Sequence, residues 1–184
     1  MGRDTIWKGQ VLYDLYRDAQ TPWEWHQPLQ SLARRLGLQF FSTPFDATAV
    51  DFLESLHVPA YKIASFELVD IPLLGRVAAT GKPIILSTGM ATFDEIDEAV
   101  TAIRGVRGAG PLALLRTNSA YPAPPEEMNL RTIPRLVEVF GVVAGLSDHT
   151  LSAAVPVAAV AQGACIIEKH LTLSRDVPGP DAAF

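Results

Sequence analysis

The sequence predicts an α/β fold in which strands and helices alternate around a parallel sheet. Three observations predict it. Short apolar runs begin at Gln39, Ala60, Lys82, Pro111, Gly141 and Ala164, at intervals of 21 to 30 residues. Each interval also holds a stretch of helical periodicity, and each apolar run ends in polar residues. A strand, a helix and two short connections fill such an interval, which is the spacing of β/α units. Within the runs the apolar character is continuous rather than alternating, as in parallel strands covered on both faces.

The elements follow in order. Thr21-Pro22-Trp23-Glu24 reads as a helix start, with Thr21 as N-cap, Pro22 at N1 where its missing N–H costs nothing, and Glu24 at N3. Gly37 is the expected stop, so residues 1–38 form a helical lead-in. Trp23 and Trp25 either pack, or one of them offers an indole face to a bound ligand. The six expected strands are QFFSTPFD, AYKIASFE, KPIILSTGM, PLALLRTNSAYP, GVVAGLSDHT and ACIIEKHLTL. The helices between them are expected over 46–56, 71–79, 92–103, 134–140 and 152–162. The third is the most clearly signed, because Thr92-Phe93-Asp94-Glu95 is a capping box in which Thr92 and Glu95 satisfy first-turn donors reciprocally.

Composition limits what such a fold does. With 48% hydrophobic and 19% charged residues among 184, the chain has material for a sizeable core and too little charge for disorder. A net charge of −5 argues against a grip on nucleic acid or anionic lipid. No run approaches the ~18 apolar residues of a membrane span, and Ile6 breaks the myristoylation pattern. Cys165 is the single cysteine, so no intrachain disulfide forms. Its neighbours Ala164, Ile166 and Ile167 lead us to expect a buried, inert thiol and a cytoplasmic setting.

The polar ends of the six runs are Ser42 and Thr43, Lys62 and Ser65, Ser87 and Thr88, Ser119 and Tyr121, Ser147 and His149, and Glu168 and His170. Parallel strands deliver all of them to one edge, which is the ligand edge of barrels and open sheets alike. The competing reading is that these hydroxyls merely cap the helices that follow. His149 and His170 end neighbouring strands. Two such imidazoles either share a divalent cation or are each held by ordinary hydrogen bonds. Lys62, inside a strand, carries a charge that is costly to bury unless an anion meets it. The hydroxyls of Thr43, Ser65, Ser87, Ser119 and Ser147 would complete a cradle for a phosphate or carboxylate. Two other roles for Lys62 stand beside this one, an internal salt bridge, for instance to Glu67, and a Schiff-base nucleophile.

Seven stretches, STPFD, VPAYKIAS, GKPIILSTGM, SAYPAPPEEMNLRTIP, GLSDHT, IEKH and GPDAAF, resemble in order and spacing the sialic acid synthase family, the phosphoenolpyruvate-dependent nonulosonic acid synthases. The resemblance runs from Trp7-Lys8-Gly9 to Phe184. Within the family, LYDLYRDAQTPWEWH resembles the pseudaminic acid branch, as does Ser119 where the sialic acid enzymes tend to carry Asn. The resemblance implies condensation of phosphoenolpyruvate with 2,4-diacetamido-2,4,6-trideoxy-altrose, giving pseudaminic acid and phosphate for surface polysaccharide or flagellin glycosylation. Alternatives within the family are N-acetylneuraminate and legionaminic acid synthesis.

By the same resemblance His149 and His170 match ligands of a divalent metal, manganese, magnesium or cobalt. Thr43, Lys62, Ser65, Ser87, Ser119 and Ser147 match positions that hold phosphoenolpyruvate, and Tyr121 and Asp181 match positions near the amino sugar. Arg116-Thr117-Asn118 departs from the family's usual Lys-Cys-Thr. The implied architecture is a partial TIM (β/α)8 barrel comprising strands three to eight over 39–184. It is expected to lack the first two strands and the C-terminal antifreeze-like domain, and the full-length parent is expected to be a homodimer. Two alternatives lie outside the class, an inactive fragment and a Schiff-base aldolase acting through Lys62.

Overall fold

The computed structural model describes residues 11–177 and Ala182. Two helices lead in, α1 (Leu12–Ala19) and α2 (Trp23–Arg35), followed by α3 (Ala47–Ser55). Strands and helices then alternate: β1 (Tyr61–Ile63), α4 (Ile71–Ala78), β2 (Ile84–Ser87), α5 (Phe93–Gly105), β3 (Leu112–Thr117), α6 (Thr132–Phe140), β4 (Val143–Asp148), α7 (Ala154–Ala161) and β5 (Ile167–Lys169). All neighbouring strands are parallel, in the order β1-β2-β3-β4-β5. The sheet curls into a half-barrel. In a flat sheet the outer strands would stand roughly 19 Å apart, four spacings of ~4.8 Å; here side chains of β1 and β5 reach each other across the concave face.

The helices begin where local chemistry lets them. Asp46 accepts from the Ala49 amide at 2.8 Å and starts α3, and Asp70 accepts from the Leu73 amide at 3.0 Å and starts α4. Thr92 and Glu95 form the expected capping box at α5. The start of α2 differs from expectation: Pro22, not Thr21, occupies the N-cap, and no side chain caps there. Pro22 has an extended ψ of 137°, so the helix begins one residue later and Glu24 falls at the second position. Gly37 ends α2 as expected, with φ +74°.

Among the described residues five strands form where the sequence predicts six. The segment around Gln39 runs beside β1 but contributes one backbone hydrogen bond, from the Lys62 amide to the Ser42 carbonyl at 3.4 Å. Pro44 has no amide to extend a ladder.

Alternation along the strands separates two faces. Tyr61, Ile63, Ile84, Leu86, Leu114, Ala144 and Leu146 point to the helices and form the core with Leu74, Val77, Ile96, Ile103 and Ile133. Each is buried, and burying one of the leucine, isoleucine or valine side chains contributes about 1.5–3 kcal/mol. The opposite set, Lys62, Ser87, Thr117, Ser147 and Glu168, lines the concave face. Trp23 packs rather than standing alone, stacking on Phe52 of α3 with ring centroids 4.4 Å apart. Cys165 contradicts the expected burial: it is exposed, because it precedes β5, whose only sheet partner among the described residues is β4.

Candidate active site

The concave face holds a continuous polar network. The Lys62 ammonium donates to Ser87 Oγ at 2.8 Å and to the Ile63 carbonyl at 3.0 Å, and lies 3.6 Å from Glu168 Oε2. Ser147 Oγ donates to the other oxygen of Glu168 at 2.6 Å. Residues of β1, β2, β4 and β5 thus meet in one chain of contacts. Burial pushes the Lys62 amine below the ordinary lysine range, and the attraction of Glu168 only partly opposes this. The expected salt bridge to Glu67 is corrected: the partner is Glu168. Glu67 acts on Lys62 only through weaker charge attraction, and one of its oxygens is buried without a hydrogen bond. Glu168 faces Lys62 across the curl, whereas Glu67 lies in the short 3-10 turn over Ser65–Val69 that follows β1.

A second group of hydroxyls surrounds Gly89. Its amide donates to Ser65 Oγ at 3.1 Å. A Cβ at this position would fall 2.7 Å from Ser119 Oγ, 2.8 Å from Thr117 Cγ2 and 2.9 Å from Ser65 Oγ. Only glycine lets these three side chains close around the turn. The Thr117 hydroxyl is buried with no hydrogen-bond partner. Neither Ser65, Ser87, Ser119 nor Ser147 caps a helix, which argues against the capping reading of the strand-end hydroxyls. Thr43 is partly buried on the segment beside β1, and no hydrogen bond among the described residues joins its hydroxyl to Lys62.

The third group is aromatic. Tyr121, His149 and His170 cluster, with centroid separations of 4.3 Å for Tyr121–His149, 5.3 Å for His149–His170 and 6.2 Å for Tyr121–His170. His149 Nδ1 lies 2.6 Å from the Asn118 carbonyl. A carbonyl only accepts, so Nδ1 carries the proton and the lone pair sits on Nε2. Burial lowers the His149 pKa; the Asn118 carbonyl opposes this and the nearby His170 adds to it. An imidazole fixed through Nδ1 to a carbonyl, beside a second imidazole, fits a divalent cation. Among the described residues no group of three or more His, Cys, Asp or Glu stands ready to hold one. Among the described residues the two imidazoles of His149 and His170 are the groups that would hold a cation. Asp181 lies outside the described residues.

The structure thus brings Lys62, Ser87 and Ser147 into one network, Ser65 and Ser119 into a second, and Tyr121, His149 and His170 into a third. Two participants were not singled out from sequence, Thr117 and Gly89, and Glu168 was marked only as a polar strand end, two residues before His170, with no partner assigned. Thr117 is likewise two residues before Ser119.

Fold and rim together define a β/α-barrel domain with its polar groups gathered at the strand C-termini. The NeuB family pattern matches residues 2–184, and the chain belongs to that family. It is 48% identical over 180 residues to pseudaminic acid synthase of Helicobacter pylori, covering 98% of this chain and 53% of that protein. It is 40% identical over 172 residues to N,N'-diacetyllegionaminic acid synthase of Legionella pneumophila, covering 92% of this chain and 48% of that one. Among solved structures, the N-acetylneuraminic acid synthetase of Leptospira borgpetersenii, crystallised with citrate, superposes with a TM-score of 0.88 at 33% identity, covering 96% of this chain and 62% of that one. The chain spans about half the length of the curated relatives it matches.

Proposed function

We propose that this chain carries the substrate rim of a pseudaminic acid synthase, a C–C bond-forming transferase that condenses phosphoenolpyruvate with 2,4-diacetamido-2,4,6-trideoxy-altrose. The observation that carries this reading is the placement of a half-buried, desolvated ammonium and several hydroxyls beside a paired-imidazole cluster on one concave rim. In the proposed reaction C3 of phosphoenolpyruvate attacks the aldehyde carbon of the open-chain sugar. Water adds at C2, and the tetrahedral intermediate expels inorganic phosphate by C–O cleavage. Lys62, with Ser87 and Ser147 beside it, offers a preformed positive setting to the carboxylate or phosphate. Ser65, Ser119 and Thr43 contribute hydroxyl donors to the same anion. Tyr121 lies against His149, where the sugar would enter, and Asp181 belongs to the same reading. A divalent cation, manganese, magnesium or cobalt, held by His149 and His170, would supply Lewis acidity toward the aldehyde.

The altrose-derived acceptor is supported by the 48% identity to the Helicobacter pylori pseudaminic acid synthase. A homodimer of the full-length protein and a cytoplasmic setting complete the reading; the free Cys165 is consistent with the latter. No helix among the described residues is long and apolar enough to cross a membrane.

A second reading has one observation in its favour. Burial lowers the Lys62 pKa, which is what a Schiff-base lysine needs. Against it, all three contacts of that nitrogen are acceptors suited to an ammonium. Assay of the full-length enzyme with phosphoenolpyruvate and each amino sugar separates the readings. Chelator-sensitive release of phosphate with the altrose-derived sugar supports the proposal. Preference for N-acetylmannosamine overturns the acceptor assignment, and borohydride trapping on Lys62 overturns the mechanism.

A further inference from the structure

The last registered pair of the β4–β5 ladder is Asp148 with Lys169, so His149 and His170 both stand one residue beyond it. Regular sheet pairing therefore does not hold the two imidazole-bearing residues side by side. A different set of contacts occupies that place. Lys169 Nζ lies 2.9 Å from Asp148 Oδ2 and donates to the Thr150 carbonyl at 2.6 Å, with the Asp148 carbonyl at 3.5 Å. Asp148 Oδ1 accepts from the Thr150 amide at 2.9 Å. The ammonium of β5 thus grips the residues on both sides of His149.

Alternation puts Ser147, His149, Glu168 and His170 on the concave side and Asp148 and Lys169 on the other. The pair does not point at the substrate rim. The Asp148 side chain is fully buried, and a buried carboxylate is costly unless paired and hydrogen-bonded, which both of its oxygens are. Such a pair gives little net stability compared with an apolar substitute, but it fixes geometry.

We infer that Asp148 and Lys169 are positioning residues, an ion-pair clamp that sets the spacing and orientation of the His149–His170 imidazoles at the end of the sheet. Its consequence for a cation rests on the function proposed above, whereas its consequence for the metal-free rings does not. Removing the clamp lets the strand ends separate past Asp148, and the rings lose their 5.3 Å approach while the ladder below stays paired.

The test uses this chain with Lys169→Met, Asp148→Asn and Lys169→Arg. Ring-to-ring NOEs between His149 and His170, and the His149 ring nitrogen shifts that report the Nδ1–H tautomer, are measured without metal. Cobalt(II) is then titrated, followed by calorimetry and by its visible absorption. We expect Lys169→Met and Asp148→Asn to lose the NOE, to bind cobalt about ten-fold or more weakly, as loss of a supporting contact does, and to shift the absorption band. Lys169→Arg should restore most of each signal. Retention of the NOE and tautomer in folded Lys169→Met or Asp148→Asn overturns the clamp. Cobalt binding within two-fold of the parent with an unchanged band overturns it as well. If the parent chain binds no cobalt while the NOE still depends on Lys169, the clamp stands and the metal reading falls. Asp148→Asn keeps the side-chain size and the acceptor for the Thr150 amide, so it serves should Lys169→Met fail to fold.

Discussion

The Lys62 ammonium and the Glu168 carboxylate, borne by the first and last strands of the sheet, lie 3.6 Å apart. The pair is lopsided: the Lys62 side chain is 12% exposed and that of Glu168 37%. The lysine bears most of the desolvation, and its pKa falls despite the carboxylate. Lys62 thus keeps its place on the rim at a desolvation cost that Glu168 offsets only in part.

Lys62→Met should therefore separate stability from binding. The substitution removes a buried charge that the fold disfavours and leaves Glu168 the donor hydroxyl of Ser147. Urea unfolding near pH 7 should change by about 1 kcal/mol or less, since the carboxylate left behind is 37% exposed and keeps the Ser147 hydroxyl, and pairs that water reaches contribute about 0–1 kcal/mol. Phosphoenolpyruvate, if it raises the melting temperature of the parent chain, should raise that of the variant far less. An equal rise in both would remove Lys62 from the anion site. Because the folded pKa lies below 10.5, the burial penalty is in force at neutral pH and is relieved as pH rises from the folded value toward 10.5. The parent should accordingly gain stability relative to Lys62→Met through that window.

His149 gives the acid limb. Burial holds its folded pKa below 6.5, so the unfolded chain takes up the proton first as pH falls. The stability that neutral His149 contributes is complete above pH 6.5 and is lost as pH falls through the folded value. Urea midpoints of the metal-free chain from pH 8 to pH 5 should fall, and His149→Gln should fall less steeply. Parallel curves would mean that the imidazole is not held neutral.

Gly89→Ala places a methyl group among Ser65, Thr117 and Ser119 at 2.7 to 2.9 Å. Since Gly89 is not in the left-handed region, the cost is crowding rather than backbone strain. Overpacking of this kind costs about 1–3 kcal/mol. Phosphoenolpyruvate affinity should drop by at least about ten-fold, as 1.4 kcal/mol of lost binding would produce. Isothermal titration decides this, and unchanged affinity would show that these hydroxyls do not serve the anion.

Cys165 should react with a thiol reagent in the folded chain. Its sulfur is exposed, with the Gly163 carbonyl at 3.6 Å. One equivalent should be consumed without denaturant, and a thiol protected until unfolding would contradict its placement.

The helices were legible wherever a side chain signs the start. Asp46, Asp70 and Thr92 all cap within a residue of the expected position. Thr21 was misread because Thr-Pro is a start signal whose register depends on the backbone of Pro22, which sequence does not fix. The apolar run at Gln39 has the composition of a strand, but strand formation needs neighbours, and the one hydrogen bond of Ser42 does not make a ladder. The same reasoning explains Cys165, whose apolar surroundings suggest a core only if something covers the flank of β5. The site was legible as a list of strand ends, because parallel topology sends them all to one rim. Which groups pair across that rim was not, since Lys62 and Glu168 are 106 positions apart and meet only through sheet curvature.

Among the described residues β5 has three residues, β4 as its one ladder neighbour and an Ile167 that is 38% exposed, whereas β3 has six residues and neighbours on both sides. Local opening should start at the thin end. A brief excursion that frees β5 carries away Glu168 and His170, half of the ammonium–carboxylate contact and half of the imidazole pair, while β1 to β4 stay folded. The polar rim of this chain can thus open at a free energy below that of its global unfolding, and amide protection should be weaker in β5 than in β3.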